Sequence, residues 1–370
     1  MLAALSGWRQ SLGPFALLHP SEFRALVSGQ RKGLAAAAFR AALRLAETPY
    51  AAAVAWRNRR YDSGRWPVER VSVPVISVGN LTLGGSGKTP MVEWLARWLR
   101  VRDVRVTIIS RGYGAEAGAR NDEALELEGR LPDVPHLQDP DRVAAARLAI
   151  EEFECQAIVL DDGFQHRRLA RDLDLVLVDA LEPFGFGHVF PRGTLREPLA
   201  GLGRADAVAL SRADLVEPAD RARLKAAVER YAPHAVWLEV AHAPRRLVSA
   251  GGETRPWDEL AGQRVAAFCG IGNPAGFRRT LERCGATIAG FREFPDHHAY
   301  QRSDVEDLAQ WAESLDATML VCTAKDLVKL RVERIGSAPL WAVAIELEIL
   351  AGLNQFETLL ESLSLWERGE

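Results

Sequence analysis

Residues 71–100 read VSVPVISVGNLTLGGSGKTPMVEWLARWLR, and this stretch decides the fold. Its first eight residues are rich in valine and predict a strand. A glycine-rich loop follows at residues 79–90, and from Met91 onward apolar residues recur at helical spacing. A strand, a glycine-rich loop and a helix in this order are the phosphate-binding unit of P-loop proteins.

The loop departs from the usual G-x-x-x-x-G-K-[ST] pattern at its first position, where residues 82–89 read TLGGSGKT. The backbone N–H groups of such a loop, together with the helix N-terminus, hold phosphate oxygens. Lys88 would reach the β- and γ-phosphates, and the Thr89 hydroxyl would bind Mg²⁺. The alternative is a flexible glycine turn with an exposed lysine. The predicted nucleotide-binding residues are Thr82, Gly84, Gly85, Ser86, Gly87, Lys88 and Thr89.

An acidic pair supplies the partner that a magnesium-binding loop needs. Residues 157–160, AIVL, form a predicted strand that ends at Asp161 and Asp162. Mg²⁺ takes oxygen ligands, and a cation would relieve the repulsion between adjacent carboxylates. The sequence leaves open which of the two binds the metal directly, and a simple capped turn is the alternative reading.

Further predicted strands alternate with helices, which predicts a P-loop NTPase-like, doubly wound and mostly parallel α/β sheet. Asp141 is expected to cap one helix, and Ser303 with Glu306 fits a capping box for another. RRLVSAGGETRPW, at residues 245–257, resembles a hairpin, after which a second αβ series begins. We therefore expect a second, smaller α/β domain joined by a β-hairpin. The predicted units are an N-terminal extension with an interfacial helical region at 1–60, a P-loop domain at 61–240 and a smaller domain at 241–370.

Charge is unevenly distributed along the chain. The formal net charge of the whole protein is −3, so charge suggests no polyanionic partner such as nucleic acid. Residues 1–70, in contrast, carry a net charge of +7. Residues 34–56 are mostly apolar, and basic residues follow at once. Such a helix can lie in a membrane interface or pack on its own domain, and Pro49 is expected to break it.

One function that a phosphate-binding loop can serve is that of a GTPase or metallochaperone-like switch, and we keep it as the alternative to an enzyme that transfers phosphate. A guanine-reading N-K-x-D loop would follow a strand, and SRAD at 211–214 and TAKD at 323–326 are degenerate versions of it. Neither segment keeps the Asn-Lys pair. The four cysteines are scattered in apolar contexts, as expected of buried free thiols, and show no metal-binding spacing.

Eight unusual segments, in this order, resemble the tetraacyldisaccharide 4'-kinase family of lipid A biosynthesis. They are GNLTLGGSGKTP (79–90), SRGYG (110–114), NDEA (121–124), DDGFQHRRL (161–169), PRGTLREP (191–198), FCGIGNPAGF (268–277), FPDHHAY (294–300) and TAKDLVKL (323–330). The resemblance extends from about residue 43 to the C-terminus. The family also has a non-glycine residue at the position of Thr82.

The resemblance implies an enzyme that transfers the γ-phosphate of ATP to the 4'-hydroxyl of tetraacyldisaccharide 1-phosphate, giving lipid IVA. It implies ATP and Mg²⁺, a lipid disaccharide substrate and no nucleic acid partner. It also implies a peripheral position at the cytoplasmic face of the inner membrane, which favours the interfacial reading of the N-terminal helix. A monomer is expected.

The resemblance also implies residue roles. Asp122 matches an acid thought to pair with a histidine that matches His297, and Asp122 could act as the base that takes the proton of the sugar hydroxyl. Arg196 could neutralise charge on the transferring phosphoryl group, and Glu197 could fix Arg196 or help to hold Mg²⁺. Two further residues follow a strand at the ligand-binding edge and are predicted to contact substrate: Arg111 and Tyr113.

Overall fold

The structure is a computed structural model that describes residues 20–84, 87–112, 127–295 and 298–363. The described part begins with a helical hairpin, α1 (Pro20–Val27) and α2 (Leu34–Asp62). Buried apolar side chains of both helices pack together and against Phe186. Among the described residues, no helix is both long enough and apolar enough to cross a bilayer.

Strands and helices then alternate along the chain. The strands are β1 (Val75–Asn80), β2 (Val106–Ser110), β3 (His136–Gln138), β4 (Ala157–Asp161), β5 (Leu173–Asp179), β6 (Ala207–Ser211), β7 (Val236–Val248), β8 (Thr254–Pro256), β9 (Arg264–Cys269), β10 (Thr287–Glu293), β11 (Met319–Thr323), β12 (Arg334–Ile335) and β13 (Ala338–Ala351). The further α-helices are α3 (Lys88–Arg100), α4 (Arg142–Phe153), α5 (Pro218–Glu229), α6 (Pro274–Arg283), α7 (Arg302–Ser314), α8 (Ala324–Leu330) and α9 (Leu353–Glu361).

Within the described residues these strands form one continuous sheet. Its order is β10-β9-β11-β13-β7-β6-β5-β1-β4-β2-β3, with β8 paired to β7 and β12 paired to β13. Most neighbours are parallel, and the antiparallel pairs all involve β7 or β13. The predicted P-loop NTPase-like α/β fold is therefore confirmed. β7 runs unbroken through residue 241, and the division into separate domains stays a prediction.

The central strands of the N-terminal half are buried because helices cover both faces of the sheet. β1, β2, β4 and β6 are buried at every position. Apolar residues of α3 cover one face, and those of α4 contribute to the core on the other. The carboxyl ends of β1 and β4 consequently meet at one edge of a rigid sheet, which is where ligands bind in open α/β folds.

Two local expectations were wrong. α2 continues through Pro49 instead of breaking there. The carbonyl that loses its hydrogen bond belongs to Leu45, whose side chain is exposed, so water can satisfy it. α7 is capped by Gln301 with Asp304, two residues before the expected capping box. The Asp141 cap and the four buried free thiols are confirmed.

Candidate active site

The phosphate loop begins as an extension of β1. Thr82 forms an antiparallel bridge with Leu195, and the Leu83 N–H donates to the carbonyl of Thr194 over 2.7 Å. Extended backbone suits a β-branched residue, which explains why threonine replaces the first glycine of the pattern. Gly84 and Gly87 are different, since their φ angles of 121° and 82° lie in the region that favours glycine.

Two side chains that the sequence analysis did not single out support the loop. The Asn80 amide donates to the carbonyl of Gly84 over 3.4 Å. On the opposite side, the His242 ring of β7 packs against Gly87, where an added Cβ would lie 2.7 Å from Cε1 and Nε2. His242 is far from the loop in sequence, and Asn80 lies before the TLGGSGKT pattern, so the motif alone could not reveal either contact.

Lys88 and Arg196 converge on Asp162. The Lys88 ammonium lies 3.4 Å from the Asp162 carboxylate. One Arg196 nitrogen, Nη1, donates to both Asp162 oxygens over 2.8 Å. The structure therefore brings together the predicted loop lysine, the second acid after β4 and the arginine of the REP segment.

Asp162 remains ionised in this setting. Burial alone would raise the pKa of its carboxyl, but Lys88 and then Arg196 outweigh burial and hold the pKa well below its usual value. Its backbone has a φ of 54°, just past the last residue of β4. The result is an anion held between two cations at the mouth of the loop.

The Glu197 carboxylate is linked to Arg196 through Gln165. It is fully buried and accepts hydrogen bonds from Arg204 over 2.9 Å and from Asn58 over 2.8 Å. Gln165 also donates to it over 3.1 Å and in turn accepts from Arg196 over 3.3 Å. Glu197 thus supports the site through Gln165 and anchors α2 to the sheet.

Arg142 is a buried arginine that the sequence analysis missed. It begins α4 beside the carboxyl end of β4, and burial lowers the pKa of its guanidinium. The charges of Asp162 and Asp161 favour the charged form, whereas that of Arg111 opposes it. Arg111 itself follows β2 directly, as predicted. The site therefore holds three arginines and one lysine against three carboxylates, since Asp139 also acts on Arg142, and this excess of positive charge suits a polyphosphate.

The remaining predicted residues divide into two groups. Thr89 occupies the first turn of α3 and Asp161 ends β4, so both lie at the same sheet edge. Five predicted residues lie outside the described part of the chain: Gly85, Ser86, Tyr113, Asp122 and His297.

A parallel α/β sheet with a phosphate loop and an acid at the adjacent strand end defines a P-loop nucleotide-dependent enzyme. The family model described as "Tetraacyldisaccharide-1-P 4'-kinase" matches residues 39–364, and the chain belongs to that family. The family expected from the sequence, and with it the kinase activity, is therefore confirmed. The GTPase or metallochaperone alternative is not favoured.

Individual relatives agree with this assignment. The tetraacyldisaccharide 4'-kinase of Anaeromyxobacter sp. (strain K) is 42% identical over 90% of this chain and 93% of its own length. That of Syntrophus aciditrophicus (strain SB) is 38% identical over 81% and 87%. The crystal structure of LpxK from Aquifex aeolicus in complex with ATP is 30% identical with a TM-score of 0.70, covering 87% of this chain and 98% of that one.

Proposed function

We propose that the edge formed by the phosphate loop and the end of β4 transfers the γ-phosphate of ATP to the 4'-hydroxyl of tetraacyldisaccharide 1-phosphate. The observation that carries this proposal is the convergence of Lys88 and Arg196 on Asp162 beside the loop. In this proposal the ATP phosphates replace Asp162 as the partner of Lys88 and Arg196. Lys88 then contacts the β- and γ-phosphates, and Arg196 stabilises charge on the group in transfer.

The donor set fits a magnesium ion. A hydroxyl from Thr89 and carboxylates from Asp161 and Asp162 are hard oxygen donors, and Mg²⁺ prefers such ligands together with phosphate oxygens. Once bound, the metal would neutralise charge on the bridging phosphate oxygens. Asp161 is held by β4 and Asp162 by its two cations, so the protein itself fixes both carboxylates before the nucleotide arrives.

The proton of the sugar hydroxyl needs an acceptor. From the family resemblance we propose Asp122 as the base, with His297 holding it. Arg111 and Tyr113 follow β2 in the sequence, and from that place we propose them as substrate contacts. Asp122 belongs to the N-terminal half and His297 to the C-terminal half. Closure of the two halves would then complete the site and exclude water, which suppresses hydrolysis of ATP.

A test of the site compares two lysines. Purified protein is incubated with labelled ATP, Mg²⁺ and the lipid disaccharide in mixed micelles, and Lys88→Ala is expected to abolish transfer. Lys225→Ala is the matched control, since Lys225 forms only a solvent-exposed pair with Glu229 on α5. Full activity of Lys88→Ala would contradict the proposal.

We further propose that α2 seats the enzyme, as a monomer, on the cytoplasmic face of the inner membrane. Leu34, Leu45 and Trp56 are spaced by 11 residues, about three helical turns, so they share one face of α2. Leu34 is 92% and Leu45 79% exposed, and Trp56 is also exposed. Arg59 and Arg60 follow in the last turn, as in helices that lie in an anionic interface.

Point substitutions test the membrane proposal better than a truncation. Tyr50 and Asn58 of α2 donate to Arg196 and Glu197, so removing the helix would also damage the site. Leu34→Glu with Leu45→Glu changes only the exposed face and is expected to reduce sedimentation with anionic vesicles while nucleotide affinity stays the same. Unchanged sedimentation would contradict it.

A further inference from the structure

We propose that Arg24, on the short helix α1, contacts the terminal phosphate of the nucleotide held in the phosphate loop. This inference rests on the proposed function of the loop. It concerns a segment outside the match to the family model, which begins at residue 39.

The contact that motivates the proposal joins Arg24 to Gly84. A Cβ built on Gly84 would lie 2.7 Å from Nη2 of Arg24. The guanidinium thus rests against the loop backbone at its first glycine. Nucleotide phosphates bind against the backbone N–H groups of such a loop, so a cation at this point faces them.

The position of α1 is set by packing. Leu26 and Val27 are buried, and the Phe23 ring contacts Phe190 at 6.3 Å between centroids. The Arg192 guanidinium donates to the carbonyl of Val27 over 2.9 Å. Arg24 therefore projects from an anchored helix, and the contact with Gly84 follows from how that helix is held.

The head group of Arg24 is available for a stronger partner. Its ion pair with Glu182 is long, at 3.8 Å, and the side chain is 44% exposed. Such a pair contributes little to stability, because water screens it. Lys88 and Arg196, in contrast, both pair with Asp162.

A polyphosphate would supply that partner. Guanidinium groups bind phosphate oxygens through two parallel hydrogen bonds, and an arginine at the transferring group stabilises the charge that develops there. Arg24 is proposed to contact the γ-phosphate, which ATP carries and ADP lacks.

The experiment compares a diphosphate with a triphosphate. Equilibrium affinities for ADP and for a non-hydrolysable ATP analogue are measured for wild type, Arg24→Ala and Arg24→Lys, together with kcat and both KM values. Arg24→Ala is expected to lose about tenfold to a hundredfold in analogue affinity and in kcat, with ADP affinity and the lipid KM unchanged. Arg24→Lys should recover part of the loss.

Two further variants separate this role from a structural one. Arg31→Ala removes an exposed charge from the same helical hairpin and should match wild type. Glu182→Gln weakens the ion pair of Arg24 but keeps an oxygen for the hydroxyl of Thr194, which donates to it over 3.0 Å. Equal losses for ADP and analogue in Arg24→Ala, the same defect in Glu182→Gln, or no defect at all would each overturn the proposal. A different result would overturn the proposed function and leave the Arg24 proposal standing. In that case the wild type would bind the analogue more tightly than ADP, this preference would depend on Arg24, and no phosphate would be transferred to the lipid.

Discussion

Two carboxylates follow parallel strands in the two halves of the sheet, and their surroundings differ sharply. Asp162 follows β4, is 38% exposed and pairs with Lys88 and Arg196. Asp326 follows β11, is fully buried and accepts from the Gly270 N–H, the Tyr300 hydroxyl and the Thr323 hydroxyl over 3.1, 2.9 and 2.6 Å.

This difference distinguishes a carboxylate that can take part in ligand binding, Asp162, from one that stabilises the fold, Asp326. Cations around an exposed carboxylate can change partners when an anion arrives, whereas a buried carboxylate satisfied by neutral donors has nothing left to exchange. Asp326 joins α8 to the strand end at Gly270 and to Tyr300. We therefore expect replacement of Asp162 to lower activity and replacement of Asp326 to lower stability.

The largest effect is expected at Asp162. Asp162→Asn should lower kcat on the order of a hundredfold to a thousandfold, because both its metal-binding charge and the alignment of Arg196 are lost. Steady-state kinetics would measure this, and thermal melting should show a much smaller loss of stability than in the Asp326 variant below. A variant that keeps wild-type kcat would remove Asp162 from the site.

At Asp326 the loss should appear in stability. Asp326→Ala leaves several buried donors without an acceptor and is expected to lower the free energy of unfolding by about 3 kcal/mol. Denaturant titration measures it, and affinity for an ATP analogue should stay within twofold of wild type. Tyr300→Phe removes one donor and should cost about 1 kcal/mol, which gives a graded comparison even where the alanine variant folds poorly.

The cation-rich edge should also make stability depend on pH. Burial, followed by the charges of Arg142 and Arg171, lowers the pKa of His166 from 6.5 to about 4. As pH falls from 6.5 to 4 the unfolded chain binds a proton that the folded chain does not, so stability falls across this window, by on the order of 2 kcal/mol. Unfolding of His166→Gln should be less pH-dependent than that of wild type, and an unchanged pH profile would contradict this role of His166.

The smallest effect concerns Asp141, a third acid close to the same edge. It caps α4 by accepting from the Val143 and Ala144 N–H groups, and it is solvent-exposed. Asp141→Ala should cost about 1 kcal/mol of stability, as expected for a lost helix cap, with kcat unaffected. A large loss of kcat would show that this acid belongs to the site as well.

The sequence predicted the parts of the molecule that depend on local patterns. The strand–loop–helix unit, the acids after β4 and the Asp141 cap were all readable, because each follows from spacing along one short segment. Arg142 and Arg24 were missed because their importance comes from long-range packing, which no short pattern encodes. The contacts of Glu197 with Asn58 and Arg204 were missed for a related reason, since Asn58 comes from a distant helix.

The antiparallel pair formed by β7 and β13 has a mechanical consequence. These long strands pair from Glu239 with Ala351 to Val248 with Ala342, and the register shifts twice along the way. A ribbon with an intact hydrogen-bond ladder resists stretching and sliding, but it twists where the ladder is interrupted. We expect any rotation of one half against the other to be concentrated at these two bulges. The resistance of the strand pair to twisting would then limit how often the two halves close on each other.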